Sequence, residues 1–214
     1  MQYYNLHTHK FTNNPSILEL VNQYPCEFDD NIPRYSIGIH PWHISEERLA
    51  SDLKVIEQKL KMDECLALGE CGLDKRINIP MALQIEVFEK QIALAENYQK
   101  PLVLHLVAAF DELIKIKKRL GISVPIIIHG FSKNEQVARQ LLINGFYLSF
   151  GKYLLRNPEL KEVFQGVSND RFFLETDTIE ETLEEVYTVA AEFKGMTIEE
   201  MQKQVAANWK SVFK

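Results

Sequence analysis

Short apolar runs alternate along the chain with longer stretches whose apolar residues recur every three or four positions, which predicts β/α units around a mostly parallel sheet. The clearest strands fall at residues 3–6, 35–39, 65–68, 101–104, 124–128, 146–149 and 171–174. Residues 17–21 have the length of a buried strand. No helix-length segment separates them from the first run, however, and a parallel neighbour usually needs a crossover of about a dozen residues. The first crossover therefore reads as one that lacks its helix.

Helices fill the other intervals. Ser45 is placed to cap a segment with Glu46 and Glu47 in its first turn and Leu49, Leu53, Ile56 and Leu60 as its stripe. Pro80 suits the first turn of the next, whose stripe includes Leu83, Val87, Ile92 and Ala95. Further stripes are Leu113, Ile116 and Leu120; Val137, Leu141 and Leu142; and Leu183, Val186, Tyr187, Ala190 and Phe193. Thr197 with Glu200 has capping-box spacing ahead of Ile198, Met201, Val205, Trp209 and Val212. Glu180, Glu181, Glu184 and Glu185 read as the N-terminal, solvated face of a helix. With no linker or repeat, residues 1–214 form one α/β domain, somewhat short of the roughly 250 residues of a typical eightfold β/α barrel.

Composition narrows the class. Hydrophobic residues at 46% and charged residues at 25% exclude disorder, fibrous repeats and a membrane channel. No apolar run approaches the ~18 residues of a membrane span, and the first residues lack the basic and apolar regions of a signal peptide, so a cytoplasmic protein that does not engage membranes is expected. Cys26, Cys65 and Cys71 are odd in number and match no zinc spacing, which predicts reduced thiols.

The six histidines carry the chemistry. In β/α barrels active sites are assembled from the C-terminal ends of several strands. His7-Thr8-His9, His40-Pro41-Trp42-His43, Gly69-Glu70, His105, His129 and Glu175-Thr176-Asp177 each follow an apolar run. The i, i+2 spacing of His7 and His9 aims both to one face of a strand. Imidazole and carboxylate without nearby cysteine are the donors of a catalytic divalent ion rather than of a structural zinc. Four histidines and two carboxylates are enough for two ions, and a pair of ions can acidify a water and stabilise attacking and leaving oxygens at phosphorus. Metal-assisted hydrolysis is the expected chemistry.

His7-x-His9, Gly38-Ile39-His40-Pro41, Gly69-Glu70-Cys71-Gly72-Leu73-Asp74, the segment 84–95 leading to Pro101 and His105, His129-Gly130-Phe131-Ser132, and Glu175-Thr176-Asp177 follow a known order and spacing. Over essentially its whole length the chain resembles the TatD-like metal-dependent hydrolases, as a shortened member. The resemblance implies an α/β fold, a distorted TIM-type barrel of seven or eight parallel strands, and a deoxyribonuclease or related phosphodiesterase. It implies two divalent ions (magnesium, manganese or zinc). His7, His9 and Asp177 would hold one, His105 and His129 the second, and Glu70 would bridge them. Asp177 would also accept the proton of the attacking water, His40 would meet substrate, and Glu175 and Asp74 would orient ligand histidines. His43 reads as a surface residue.

The departures fall on the substrate side. Asn5 stands where the family has Asp, Val107 where an arginine follows the fourth histidine, Lys75 where an aromatic follows Gly-Leu-Asp, and Ile179 where a proline is usual; the segments after the first strand and after Asp177 are short. A net charge of −6 argues against gripping long duplexes, although Lys75, Arg76, Lys133, Lys152 and Arg156 follow strands. DNA ends or short oligonucleotides are therefore the expected substrate, with no obligate protein partner. A small ester, lactone or amide is the alternative, and a non-catalytic binding module the second.

Overall fold

The computed structural model describes residues 2–213. Eight strands appear: β1 (Tyr3–Thr8), β2 (Ile17–Gln23), β3 (Tyr35–Ile37), β4 (Cys65–Asp74), β5 (Leu102–Val107), β6 (Ile126–Ile128), β7 (Tyr147–Phe150) and β8 (Phe172–Leu174). The helices are α1 (Leu49–Lys59), α2 (Met81–Tyr98), α3 (Phe110–Leu120), α4 (Glu135–Ile143), α5 (Lys152–Arg156), α6 (Leu160–Gly166), α7 (Leu183–Lys194) and α8 (Ile198–Val212). Strand order in the sheet is sequence order, β1 to β8. Pairings β2–β3, β3–β4, β4–β5 and β7–β8 are parallel. Just beyond β8, Asp177 forms a parallel bridge to Thr8 of β1. This is the expected α/β class, a TIM-type barrel.

Residues 17–21 are part of a strand, and no helix precedes it. Residues 9–16 suffice because eight extended residues reach roughly 26 Å, more than the roughly 20 Å of a six-residue strand that the chain must pass. Residues 24–34, between β2 and β3, are helix-free too. Ser45 does not cap α1. Its Oγ accepts the Arg48 N–H at 3.4 Å, closing a turn ahead of the helix, so Glu46 and Glu47 lie outside α1. The sequence ended the fourth strand at residue 68; β4 runs on through Asp74, for a reason that belongs to the metal centre.

The chain packs as two compact units, residues 21–127 and residues 1–20 with 128–214. In the first, Ile37, Ile56, Leu68, Phe88, Ile92, Leu104 and Ile126 are buried between strands and helices. In the second, Phe164 meets Phe150 and Phe172 edge-to-face at 4.9 Å each, a favoured aromatic geometry. There the Tyr187 hydroxyl accepts the Tyr4 N–H and donates to the Tyr4 carbonyl, both at 3.0 Å, pinning α7 to β1. Capping boxes start α7 (Thr182 with Glu185) and α8 (Thr197 with Glu200). Cys26, Cys65 and Cys71 are unbridged. Among the described residues no helix is long and apolar enough to cross a membrane.

Candidate metal centre

In the unit of residues 21–127 the site begins with two glycines. Gly69 and Gly72 sit at φ +155° and +135°, and a Cβ on either would run into the carbonyl oxygen of Val103 or His105 on β5. Only glycine lets β4 approach that closely. The register slips between Gly69 and Cys71, leaving Glu70 as the extra residue of a bulge, which re-aims its side chain. Buried Glu70 is held by its N–H, which donates to Asn22 Oδ1 at 2.7 Å. Pairing of Gly72 with His105 brings the imidazole alongside.

The donors of this unit are His40, Glu70 and His105, whose ligand atoms lie within 4.8 Å of one another. His40 Nδ1 accepts the Trp42 N–H at 3.1 Å, so a neutral His40 carries its proton on Nε2, 3.2 Å from Glu70 Oε1. Burial lowers the His40 pKa below the usual imidazole value even against the raising effect of Glu70, which keeps the ring neutral. His105 lies between carboxylates, with Nδ1 3.2 Å from Glu70 Oε1 and Nε2 3.3 Å from Asp74 Oδ2. Burial works to raise the Asp74 carboxyl, but hydrogen bonds from Trp42 Nε1 (2.8 Å), the Arg76 N–H (2.8 Å) and His105 hold it below the ordinary range. Asp74 is thus an ionised acceptor for the His105 proton.

In the second unit the donors are His7, His129 and Asp177, again within 4.8 Å. Asp177 adopts φ +55°, a left-handed conformation that Asp tolerates. Its N–H donates to the His7 carbonyl at 2.9 Å and its carbonyl accepts the His9 N–H at 3.2 Å. Its Oδ1 faces His7 Nε2 at 3.8 Å and His9 Nε2 at 3.6 Å, while Oδ2 accepts a 2.9 Å hydrogen bond from Lys152 Nζ. Burial would raise the Asp177 carboxyl, yet His7, His129 and Lys152 bring it below its ordinary value. The His7 and His129 rings lie 4.2 Å apart. Glu175, fully buried, accepts the Gly130 N–H at 2.6 Å and sets Oε1 3.5 Å from His129 Nδ1.

The family model described as TatD related DNase matches residues 3–214. The chain belongs to the TatD family of metal-dependent hydrolases. It is 33% identical over 196 residues to the uncharacterized metal-dependent hydrolase YabD of Bacillus subtilis (strain 168), covering 84% of this chain and 76% of YabD. It is 31% identical over 147 residues to the 3'-5' ssDNA/RNA exonuclease TatD of Erwinia tasmaniensis, covering 65% of this chain and 56% of that protein. The crystal structure of YJJV, a TatD homologue from Escherichia coli K12, matches 99% of this chain and 97% of its own with a TM-score of 0.82 at 20% identity.

Every residue expected at this TatD centre stands in or beside one of the two donor groups. His129 stands with His7 and Asp177, and His40 with Glu70 and His105. His9 lies beside Asp177, Glu175 beside His129, and Asp74 beside His105; His43 is exposed. The donor chemistry fits a divalent ion. In the tautomer whose Nε2–H donates to Asp74, the His105 Nδ1 lone pair faces Glu70 Oε1, and two acceptors 3.2 Å apart are reconciled by a cation. The ionised Asp74 and Asp177 carboxylates are also in the protonation state that ligation needs.

Sequence reasoning passed over three supporting amides. Gln91 accepts the Ile39 N–H at 2.7 Å and donates to the Ile39 carbonyl at 3.2 Å, fixing the backbone before His40. Gln84 accepts the Asp74 N–H at 2.8 Å and donates to the Asp74 and Ile79 carbonyls at 3.0 and 2.8 Å. Both are buried on the apolar face of α2; two glutamines seven residues apart inside a stripe were the available signal. Asn5, met first as a departure, donates to Thr176 Oγ1 at 2.9 Å and accepts the Thr176 N–H at 3.0 Å. An ionised Asp there could accept but not donate.

Proposed function

We propose that this hydrolase is a phosphodiesterase that cleaves DNA ends or short oligonucleotides, with two divalent ions, one at each donor group. The observation that carries the reading is that Glu70 and His105, with His40 beside them, and His7, His129 and Asp177 form two His and carboxylate groups, each backed by a further carboxylate on a histidine. Bound ions would supply charge stabilisation at the phosphoryl oxygens and a water acidic enough to attack near neutral pH.

The remaining roles belong to side chains. Asp177, its backbone fixed against β1, is the acceptor for the proton of the attacking water. Asp74 and Glu175 hold His105 and His129 in orientation. His40 is the substrate contact, its Nε2–H on Glu70 being the donor that can turn to a phosphoryl oxygen. The Lys152 ammonium is the cation nearest Asp177 and supplies charge that the missing arginine at Val107 does not. Lys75 and Arg156 are already engaged by Glu112 and Glu181.

One observation favours the second reading, hydrolysis of a small ester, lactone or amide. Beside Lys152 and Arg156 opens a cleft of about 530 Å³ whose other lining includes Glu180, Glu181 and Glu185, a poor path for a polyanion. The deciding test gives purified protein magnesium, manganese or zinc with fluorescent single-stranded DNA and, in parallel, ester and lactone substrates. Metal-dependent DNA cleavage is expected, falling at least about a hundredfold in Glu70→Ala and Asp177→Asn. Equal activity in chelated and metal-loaded protein removes the catalytic reading, and turnover of esters alone selects the second.

A further inference from the structure

Of the two tryptophans, Trp209 is buried on α8 against Tyr4 and Phe213, whereas Trp42 is 58% exposed. An indole left in water forgoes the burial that ordinarily stabilises so large a ring. Trp42 is nevertheless fixed. It lies in the short 3₁₀ turn Pro41–His43, its backbone N–H is on His40 Nδ1, and its indole N–H donates to Asp74 at 2.8 Å. The His40 and His105 rings lie at 88° and 74° to the indole, 5.1 and 5.6 Å from it, so neither stacks flat against it. The ring thus has one edge tied to the donor group and more than half its surface in solvent.

We propose that Trp42 is a substrate-binding residue on which an unpaired nucleobase next to the scissile phosphate stacks. The proposal rests on the phosphodiesterase reading. Three observations select a base rather than a phosphate. The indole edge is anchored on the Asp74 carboxyl, so the ring offers an apolar face rather than a cation to an incoming nucleotide. With 24 basic against 30 acidic residues the chain offers no basic excess to hold a backbone, which gives weight to contacts insensitive to charge. A tethered ring forfeits little freedom when a base settles on it, and stacking of this kind accepts any base with an open face.

Two measurements on the full chain test this. With metals chelated, 5'-dAMP quenches tryptophan fluorescence while deoxyribose 5-phosphate does not, and the quenching is lost in Trp42→Phe, which leaves only buried Trp209. With metal restored, Trp42→Ala raises KM for a single-stranded decamer roughly tenfold or more, with the loss on KM rather than kcat. KM for the same decamer with abasic terminal nucleotides does not move. Trp42→Phe, which keeps a ring but cannot donate to Asp74, recovers most of the loss. If Trp42→Phe is as poor as Trp42→Ala, the residue acts through Asp74 and the proposal fails. An unchanged KM in Trp42→Ala while wild type cleaves DNA also defeats it and leaves the phosphodiesterase reading standing. If wild type cleaves no DNA, the phosphodiesterase reading fails and takes the proposal with it, whatever the dAMP signal.

Discussion

The two donor groups use the same residue types but lean on different supports. Around Glu70 and His105 the support is backbone: a bulge that only glycine permits and two glutamines on α2 that fasten the chain at Ile39 and Asp74. Histidines face both carboxylates, Glu70 and Asp74. Around Asp177 backbone bonds to His7 and His9 are joined by a side-chain clasp, Asn5 on Thr176, and the carboxylate already has a cation in Lys152. The first group is therefore held by a bulge and two buried amides, and the second by strand pairing and a clasp, with its carboxylate partly neutralised by a lysine. Similar ligands need not imply similar affinity for an ion.

Breaking the supports gives the largest effects. Gln84→Ala leaves the Asp74 N–H and two carbonyls in a buried site without their partner, at a cost of about 1–3 kcal/mol for each group that water cannot reach. Thermal melting is expected to fall by several degrees, and the metal content of the Glu70 group with it. Asn5→Asp loses one donor and turns a carboxylate oxygen toward Thr176 Oγ1, with an expected loss of about 1–2 kcal/mol. Isothermal titration with manganese should show weaker binding in both variants. If Gln84→Ala melts like wild type, the backbone account of the first group is wrong.

This contrast also explains what could be read from sequence. His7, His9, Glu70, His105, His129 and Asp177 were legible because each follows or ends an apolar run, and a donor placed so regularly is visible without coordinates. The length of β4 was not. Gly69 and Gly72 look like a strand-ending loop until a neighbouring strand pressed against them shows why side chains are absent. Gln84 and Gln91 were hidden because periodicity registers apolar residues, and a buried amide bonded to backbone looks like a gap in the stripe. Ser45 misled for a related reason: its hydroxyl closes the Ser45–Arg48 turn rather than the helix end, and hydroxyls serve both.

Changing charge without removing support has a smaller effect. Lys152 competes with any ion for Asp177, so Lys152→Met should tighten binding at the His7–His129–Asp177 group by roughly tenfold while weakening cleavage of charged substrate. A titration of Lys152→Met in which neither binding step changes would contradict the charge-balance side of the comparison.

The smallest expected effect is a dependence of the metal-free protein on pH. The His40 pKa lies below its ordinary value of 6.5, so the unfolded chain binds a proton that the folded chain refuses, and stability falls as pH drops through that value. Asp74 and Asp177, both held below 3.8, contribute stability that is complete above that value and lost only as pH falls through their lower folded values. Chelated protein should therefore show two acid losses, one starting near neutrality and one below pH 3.8. His40→Gln should remove the first and leave the second, as measured by urea midpoints at successive pH values. Because the upper loss is assigned to the buried His40 ring, its persistence in His40→Gln would place the titrating group elsewhere and remove the case for a neutral His40.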